Sequence, residues 1–230
     1  MCDTKFGSWS PCAEPAGAGL CGPGRRAAGE DPRKRDQILE GAKRVFMKAG
    51  FDAATMNDIT REAQVSKGTI YVYFNNKEDL FAALIERERS RLVASMRTAL
   101  SGDGTVEEGL TKFGIAFATH VLSPGTIYAM RTVIGVIERM PTLSSRFFST
   151  GPESARSVIE TYLTSRHEAG ELDIEDVPLA AVQFMELSMA GIYKPRLFGF
   201  IDKEVPADVI ASTVKSAVRV FLKAYGTAKT

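Results

Sequence analysis

Ser66, Lys67, Gly68, Thr69, Tyr71 and Tyr73 fall within eight consecutive residues, in the run Ser-Lys-Gly-Thr-Ile-Tyr-Val-Tyr. One cation, four hydroxyls and a glycine that lets another backbone come close make a surface for a polar, anionic partner. Thr55 and Lys77 flank the run with a further hydroxyl and cation. Upstream, Arg33, Lys34 and Arg35 form a basic run that reads either as a solvated face or as an arm reaching nucleic-acid phosphates or the minor groove. No bond-breaking constellation accompanies these residues. His120 and His167 are the two histidines of the chain, and neither stands in a His-Glu-x-x-His, Gly-x-Ser-x-Gly or phosphate-loop pattern. Gly17-Ala18-Gly19-Leu20-Cys21-Gly22 imitates a dinucleotide loop, but no strand precedes it and Pro23 and Gly24 follow it where a helix must begin. No cofactor and no metal site is therefore expected.

Two short helices must carry the run. Thr55 caps the first, with Asp58 as the acidic partner of a capping box, and Ser66 caps the second. Only a tight turn fits between Ala63 and Ser66. Ile59 and Ala63 can meet Val65, Ile70 and Phe74, so the pair packs as a helix-turn-helix and turns Lys67, Gly68, Thr69, Tyr71 and Tyr73 outward. Before it, Ile38, Ala42, Val45, Phe46 and Ala49 mark a helix from about Arg33 that stops at Gly50. After it, Asn75 or Asn76 caps a helix to about Leu100, roughly 37 Å long and able to join one packed unit to another.

The formal net charge is only +1, but it is unevenly placed. Arg25 to Lys77 holds 11 Lys+Arg against 7 Asp+Glu, whereas Glu78 to Thr230 holds 17 against 19. The positive excess sits with the helix pair, as a phosphate-binding head on a neutral body requires. No apolar run reaches the roughly 18 residues of a spanning helix, and the first residues lack signal-peptide order, so no membrane partner and a cytoplasmic location are expected. Residues 1–31, rich in Gly and Pro and carrying Cys2, Cys12 and Cys21, read as a disordered extension with reduced thiols.

From residue 78 to 230 the grammar stays helical. Leu110, Phe113, Phe117 and Val121 form one stripe, and Ser123-Pro124-Gly125 breaks it. Ile127, Met130, Ile134 and Ile137 form the next, stopped at Pro141, and another helix follows Phe147, Phe148 and Gly151-Pro152. Val177 to Tyr193, closed by Pro195, and the helix after Pro206 are apolar nearly all round, which calls for a second copy of the chain. Phe184, Leu187, Val214, Val218 and Phe221 are the candidates for that contact. Phe113, Phe117, Met130, Ile134, Tyr162, Met185 and Met189 are candidates to line a ligand cavity with Arg131, Tyr128 or Glu138 as its polar anchor, though residues of this kind are more often plain core.

Thr55 to Phe81, with Val65-Ser66-Lys67-Gly68-Thr69-Ile70-Tyr71, Tyr73-Phe74 and Lys77-Glu78-Asp79-Leu80-Phe81, resembles the DNA-binding region of the TetR family of bacterial transcriptional regulators. Met130-Arg131 through Pro141, then Phe147-Phe148 and Gly151-Pro152, resembles the ligand domain of its AefR-like branch. The resemblance implies an all-α homodimer with a three-helix head at 32–77 and a helical effector-binding and dimerisation body at 78–230. It further implies a repressor released from a palindromic double-stranded DNA operator by a small apolar or amphipathic ligand. Lys67, Thr69 and Tyr71 would face the major groove, Lys67 toward guanine O6 or N7 and Thr69 toward a base edge or a thymine methyl. Thr55, Ser66, Tyr73 and Lys77 would hold phosphates. Gln64 departs from the glycine that members often carry in the turn. A constitutive architectural DNA binder and an enzyme are the rival readings.

Overall fold

Pro32 at the first helical position removes an amide that no helix could satisfy, and the Asp31 carboxylate accepts from the Arg33 amide, so α1 (Pro32–Ala49) begins there. In this computed structural model residues 29–102, 104–139 and 154–227 are described. The three cysteines and the signals at Pro141, Phe147, Phe148 and Gly151-Pro152 lie outside them. Arg33, Lys34 and Arg35 are thus the first turn of α1, not an arm ahead of it, because Asp31 closes the extension by capping the helix.

α2 (Met56–Glu62) starts on a full capping box, with the Asp58 amide donating to Thr55 Oγ1 at 3.1 Å and the Thr55 amide donating to Asp58 Oδ2 at 3.3 Å. α3 (Lys67–Tyr73) starts on Ser66, whose Oγ accepts from the Thr69 amide at 3.0 Å. Asn76 caps α4 (Lys77–Leu100), with Glu78 and Asp79 in the first turn where the helix dipole favours them. The body follows as α5 (Val106–Val121), α6 (Pro124–Val136), α7 (Ala155–Glu168), α8 (Val177–Leu187), α9 (Tyr193–Leu197) and α10 (Ala207–Tyr225). Among the described residues the only β pairing is an isolated bridge between Leu172 and Gly226.

The apolar helix expected to run to Tyr193 instead ends at Leu187, and Gly191 turns the chain with φ +76°. Pro195 lies inside the short α9, in a first turn where no amide donor is needed.

Two apolar cores result. The head core joins Ile38, Leu39 and Phe46 of α1, Ile59, Ile70 and Phe74 around the helix pair, and Leu80, Phe81 and Leu84 of α4. The head core therefore continues past residue 77 into the long helix. The body core collects Val93 and Met96 of α4 with α5, α7, α8 and α10.

α6 contributes to both cores. Its buried residues are Ile127, Val133 and Val136, with Met130 packed against the body core and Tyr128, Ala129, Val133 and Val136 belonging to the head cluster. At about 100° per residue Tyr128, Ala129, Val133 and Val136 fall on one side of the helix and Met130 on another, so α6 is wedged between head and body. A stripe drawn with one face puts Ile134 and Ile137 inside. Both are exposed, Ile134 by 56%.

Candidate nucleic-acid interface

The outward row of α3 is held by restraints that act on backbone atoms. After α2 the chain turns with Gln64 at φ +53°, the Val65 amide donating to Thr60 O at 3.1 Å and the Gln64 amide to Arg61 O at 3.2 Å. Those two bonds are the paired closure of a Schellman turn. Gln64 thus adopts the left-handed conformation that glycine takes more cheaply. From α1, the Gln37 amide group donates to Ala63 O at 2.7 Å, and Arg44 pairs with Glu62. Gly41 lets α1 cross this turn closely: a Cβ there would stand 2.6 Å from Ala63 Cβ and 2.7 Å from its Cα. Ile70, fully buried, and Phe74 then anchor the inner face of α3.

What remains outside is polar. Ser66, Lys67, Gly68 and Tyr71 are exposed, Tyr71 by 45%, and Thr69 is half-buried with its Oγ1 2.7 Å from Ser66 Oγ. Tyr73 packs its ring against the head core, so only its edge is left for a partner. Thr55 is exposed but its hydroxyl donates to Asp58 Oδ2 at 2.6 Å. That hydrogen bond holds the Asp58 carboxyl below its ordinary value, with Arg61 adding to the effect.

Lys77 is a correction to the phosphate set. Its Nζ donates to Phe51 O at 2.9 Å, Asp52 O at 3.0 Å and Ala54 O at 3.4 Å, and stands 4.8 Å from the Phe51 ring centroid. Three carbonyls use the three ammonium hydrogens, so Lys77 pins the α1–α2 loop instead. In the basic turn of α1, Lys34 bonds Gln37 Oε1 at 2.9 Å and the Arg35 guanidinium lies 5.4 Å from the Phe74 ring centroid, while Arg33 is exposed. Sequence reading missed Gly41 and Gln37, whose roles appear only once α1 is laid across the turn. It also missed Val72, 50% exposed beside the reading row, against which the chain enters at Gly29.

Residues 38–84 match the family model of bacterial regulatory proteins of the tetR family, and residues 108–227 match the C-terminal domain of AefR-like transcriptional repressors. The chain belongs to the TetR family. The HTH-type transcriptional repressor AcnR of Corynebacterium glutamicum is 38% identical over 82 residues, which is 35% of this chain and 42% of that one. The chain thus spans well under two thirds of the length of the curated relatives it matches. A TetR-family regulator from Mesorhizobium loti superposes with a TM-score of 0.78 at 22% identity over 85% of this chain and 98% of the other. The flavonoid-responsive regulator FrrA does so with a TM-score of 0.65 at 26% identity, over 86% of this chain and the whole of the other.

Of the candidate effector residues, six lie in or against the core of the TetR body and the rest do not. Phe113, Phe117, Tyr162 and Met189 are buried in its core, and Met130 and Met185 pack against that core. Tyr162 lays its hydroxyl against Gly109, and burial pushes its pKa up while Arg166, 5.1 Å from the ring centroid, opposes that. Tyr128 belongs to the head cluster, and Arg131 donates to Leu197 O and Arg196 O, both at 2.8 Å. Ile134 is on the outer surface and cannot line an interior cavity.

Four of the five residues expected at a contact between copies are also corrected. Phe184, Val214, Val218 and Phe221 are at most 1% exposed within their own chain. One side of α8 and of α10 packs on α5 or α7, and α10 also carries Asp208, Lys215, Arg219 and Lys223 on its exposed side, so it is not apolar all round. Their outer side forms an open apolar groove of about 420 Å³ lined by Gln183, Glu186, Leu187, Ala190, Val220, Phe221, Ala224 and Tyr225. Leu187 lines it, and Phe221 reaches its floor.

Proposed function

We propose that this TetR-family chain is a homodimeric DNA-binding transcriptional repressor that reads a palindromic operator with α3 and releases it when a small molecule enters the body. The observation that carries the reading is the row Lys67, Thr69 and Tyr71 on a helix whose backbone is fixed by the Ser66 cap, the Gln64 turn and the Gly41 crossing. Lys67 suits guanine O6 or N7 and Thr69 a thymine methyl, while Ser66, Thr55 and the edge of Tyr73 suit phosphates. Arg33, Lys34 and Arg35 add cations at the positive end of the α1 dipole, an arrangement that is unfavourable alone and that a phosphate offsets.

The α8–α10 groove supplies the contact with a second copy, since an apolar face of this kind is otherwise left to water. Two heads about 34–36 Å apart then meet successive major grooves.

The effector we assign is aromatic or amphipathic. FrrA, named for its response to flavonoids, supports that class, and so do the adaptable Met130 and Met185 packed against the core that holds the stacked Phe113 and Phe117. α6 gives the coupling a route: a ligand that displaces Met130 moves Val133 and Val136 in the head core. The same motion pulls the Arg139–Asp52 pair, 3.2 Å long, which ties the segment after α6 to the loop before α2.

Competition between a duplex selected from a random library and an unselected duplex, at fixed salt, tests the reading. A regulator prefers the selected duplex by about a thousandfold or more. Lys67→Ala should remove about 1–3 kcal/mol of that preference. Equal affinity for both duplexes would mean an architectural binder, and an unchanged preference in Lys67→Ala would move the reading face elsewhere.

A further inference from the structure

Phe198 and Phe200 are exposed by 81% and 89%, more than any other large apolar side chain among the described residues. The loop that carries them is nevertheless fixed on both sides. The Arg131 guanidinium, from α6, donates through Nε to Leu197 O and through Nη2 to Arg196 O, both at 2.8 Å. Arg196, only 5% exposed, donates through Nη1 to Ile201 O at 3.1 Å and to Asp202 O at 2.6 Å. The Ile201 amide closes back on Pro195 O at 3.1 Å. Two guanidiniums thus hold two rings out in water. A ring left in water forgoes the gain of burial, and a loop already ordered loses little freedom when it binds.

After this loop, α10 presents a row of unpartnered surface. Val209, Thr213, Ser216, Val220 and Ala224 recur at steps of four and three, which keeps them on one face, and none is charged. Val209 is 39% and Val220 47% exposed, Ser216 and Ala224 are exposed and Thr213 is half-buried. Lys215, Arg219 and Lys223 lie beside the row, on the flank shared with Glu107 of α5. At its other end the row runs into the α8–α10 groove, to which it supplies Val220 and Ala224. An uncharged row of this length can pair with a copy of itself running antiparallel, as a twofold axis across the helix produces. With that axis at the middle of the row, near Ser216, Val209 of one copy stands against Ala224 of the other.

We propose that Phe198 and Phe200 of each copy fill the α8–α10 groove of the other. The loop precedes α10, so in an antiparallel pair it comes over the far end of the other α10, where Val220, Ala224 and Tyr225 open the groove. The groove holds about 420 Å³, and a cavity of about 150 Å³ is enough for one benzene ring, so both rings fit. Leu187, Ala190, Val220 and Ala224 supply apolar walls. Each phenylalanine brings about 150–250 Å² to a contact, so the four rings of a pair supply roughly 600–1,000 Å² of the about 1,600 Å² of a stable interface. The exchange is reciprocal, each copy giving a loop and receiving one, as a closed isologous pair requires. The proposal rests on the groove being a contact between copies, as read above, and adds to it the residues that fill the groove.

Sedimentation of the full chain gives the dimer Kd, and variants at exposed positions separate the two readings. Phe198→Ala together with Phe200→Ala should raise Kd about a hundredfold, since buried aromatic anchors dominate such contacts. Val220→Glu, in the groove itself, should also raise it. To place the rings, Cys2, Cys12 and Cys21 are replaced by serine, and a chain with Phe200→Cys is mixed with a chain carrying Ala224→Cys. Oxidation should join the mixture into a crosslinked pair, seen by non-reducing electrophoresis, that neither chain forms alone. If Val220→Glu weakens the dimer while the ring variant does not and no crosslink forms, the groove stays a contact but the rings do not fill it, and they are left for a partner other than a second copy. A weaker dimer in the ring variant without the crosslink would seat the rings elsewhere on the second copy and overturn the groove as their place. No effect of either variant, or a monomeric wild type, would overturn both readings.

Discussion

Both cores of the molecule are built on aromatic rings, but the head closes its rings into a cluster and the body strings them into a ladder. Phe46, Phe51 and Phe81 lie 5.0–5.6 Å apart in every pairing, from α1, the loop after it and the first turns of α4. In the body, Phe113 meets Phe117 at 6.0 Å and Phe184 at 6.3 Å, Phe184 meets Phe221 at 5.3 Å, and Phe221 meets Tyr225 at 4.8 Å. That ladder ends at the open groove between α8 and α10. The rings of the head cluster come from 36 residues of sequence, Phe46 to Phe81, whereas the ladder of the body runs from Phe113 to Tyr225. A head of fixed geometry on a body with an unfilled face is the division of labour that the proposed dimeric DNA reader needs.

The largest effect that can break this comparison comes from removing one ring from each core. Phe46→Ala and Phe184→Ala should each cost about 3–5 kcal/mol, since both rings are at most 1% exposed. Because α4 and α6 supply residues to both cores, each variant should also lower protection in the other core by native-state hydrogen exchange. Should Phe46→Ala leave the body amides at their normal protection, the cores open independently and α6 is no link between them.

A smaller effect separates the two by what surrounds a glycine. A Cβ built on Gly41 would meet Ala63 Cβ, Cα and backbone N at 2.6–2.8 Å, whereas one built on Gly114 would meet Val214 Cγ1 at 2.7 Å and Ser188 Oγ at 3.2 Å. A methyl at 41 must push a backbone, and one at 114 needs only a side chain to give way. Gly41→Ala should therefore cost about 2–3 kcal/mol and displace the turn before α3, while Gly114→Ala should cost about 1 kcal/mol, part of it offset by better helix propensity. Denaturant midpoints decide the order, and a costlier Gly114→Ala would show the body to be the stiffer unit.

The same contrast explains what could be read from the residues alone. Caps are local, so Thr55, Ser66 and Asn76 announced the starts of α2, α3 and α4, and Gly50 the end of α1. The reading row was legible because its inner face, Ile70 and Phe74, is set by helix period. Lys77 was not legible, because its three acceptors are carbonyls of residues 51, 52 and 54, a contact that depends on how the loop folds back. In the body the stripe of α5 was clear, but α6 serves both cores, so a single-face reading buried Ile134 wrongly. Phe184 and Phe221 read as a contact between copies because the wide spread of apolar residues along α8 and α10 does not declare which side meets their own chain.

The smallest effect concerns the turn in which Gln64 takes a positive φ. Two turns share one closure: Val65 to Thr60 and Gln64 to Arg61 in the head, Glu171 to Arg166 and Gly170 to His167 in the body. Gln64 has φ +53° and Gly170 has φ +73°, and nothing stands within 4 Å of a Cβ built on Gly170. Exchanging residue types between them therefore varies the backbone preference with little else. Gln64→Gly should stabilise by about 0.5–1 kcal/mol, the left-handed cost relieved less the extra unfolded-state freedom of glycine, and Gly170→Gln should lose a similar amount. Thermal midpoints should move in opposite directions by about 1–4 °C. Two shifts of the same sign would show that the Gln64 side chain contributes something to the head beyond its backbone. If Gln64→Gly is stabilised and yet binds the selected duplex more weakly, that contribution is made to DNA, one residue before Val65 leads into the reading helix.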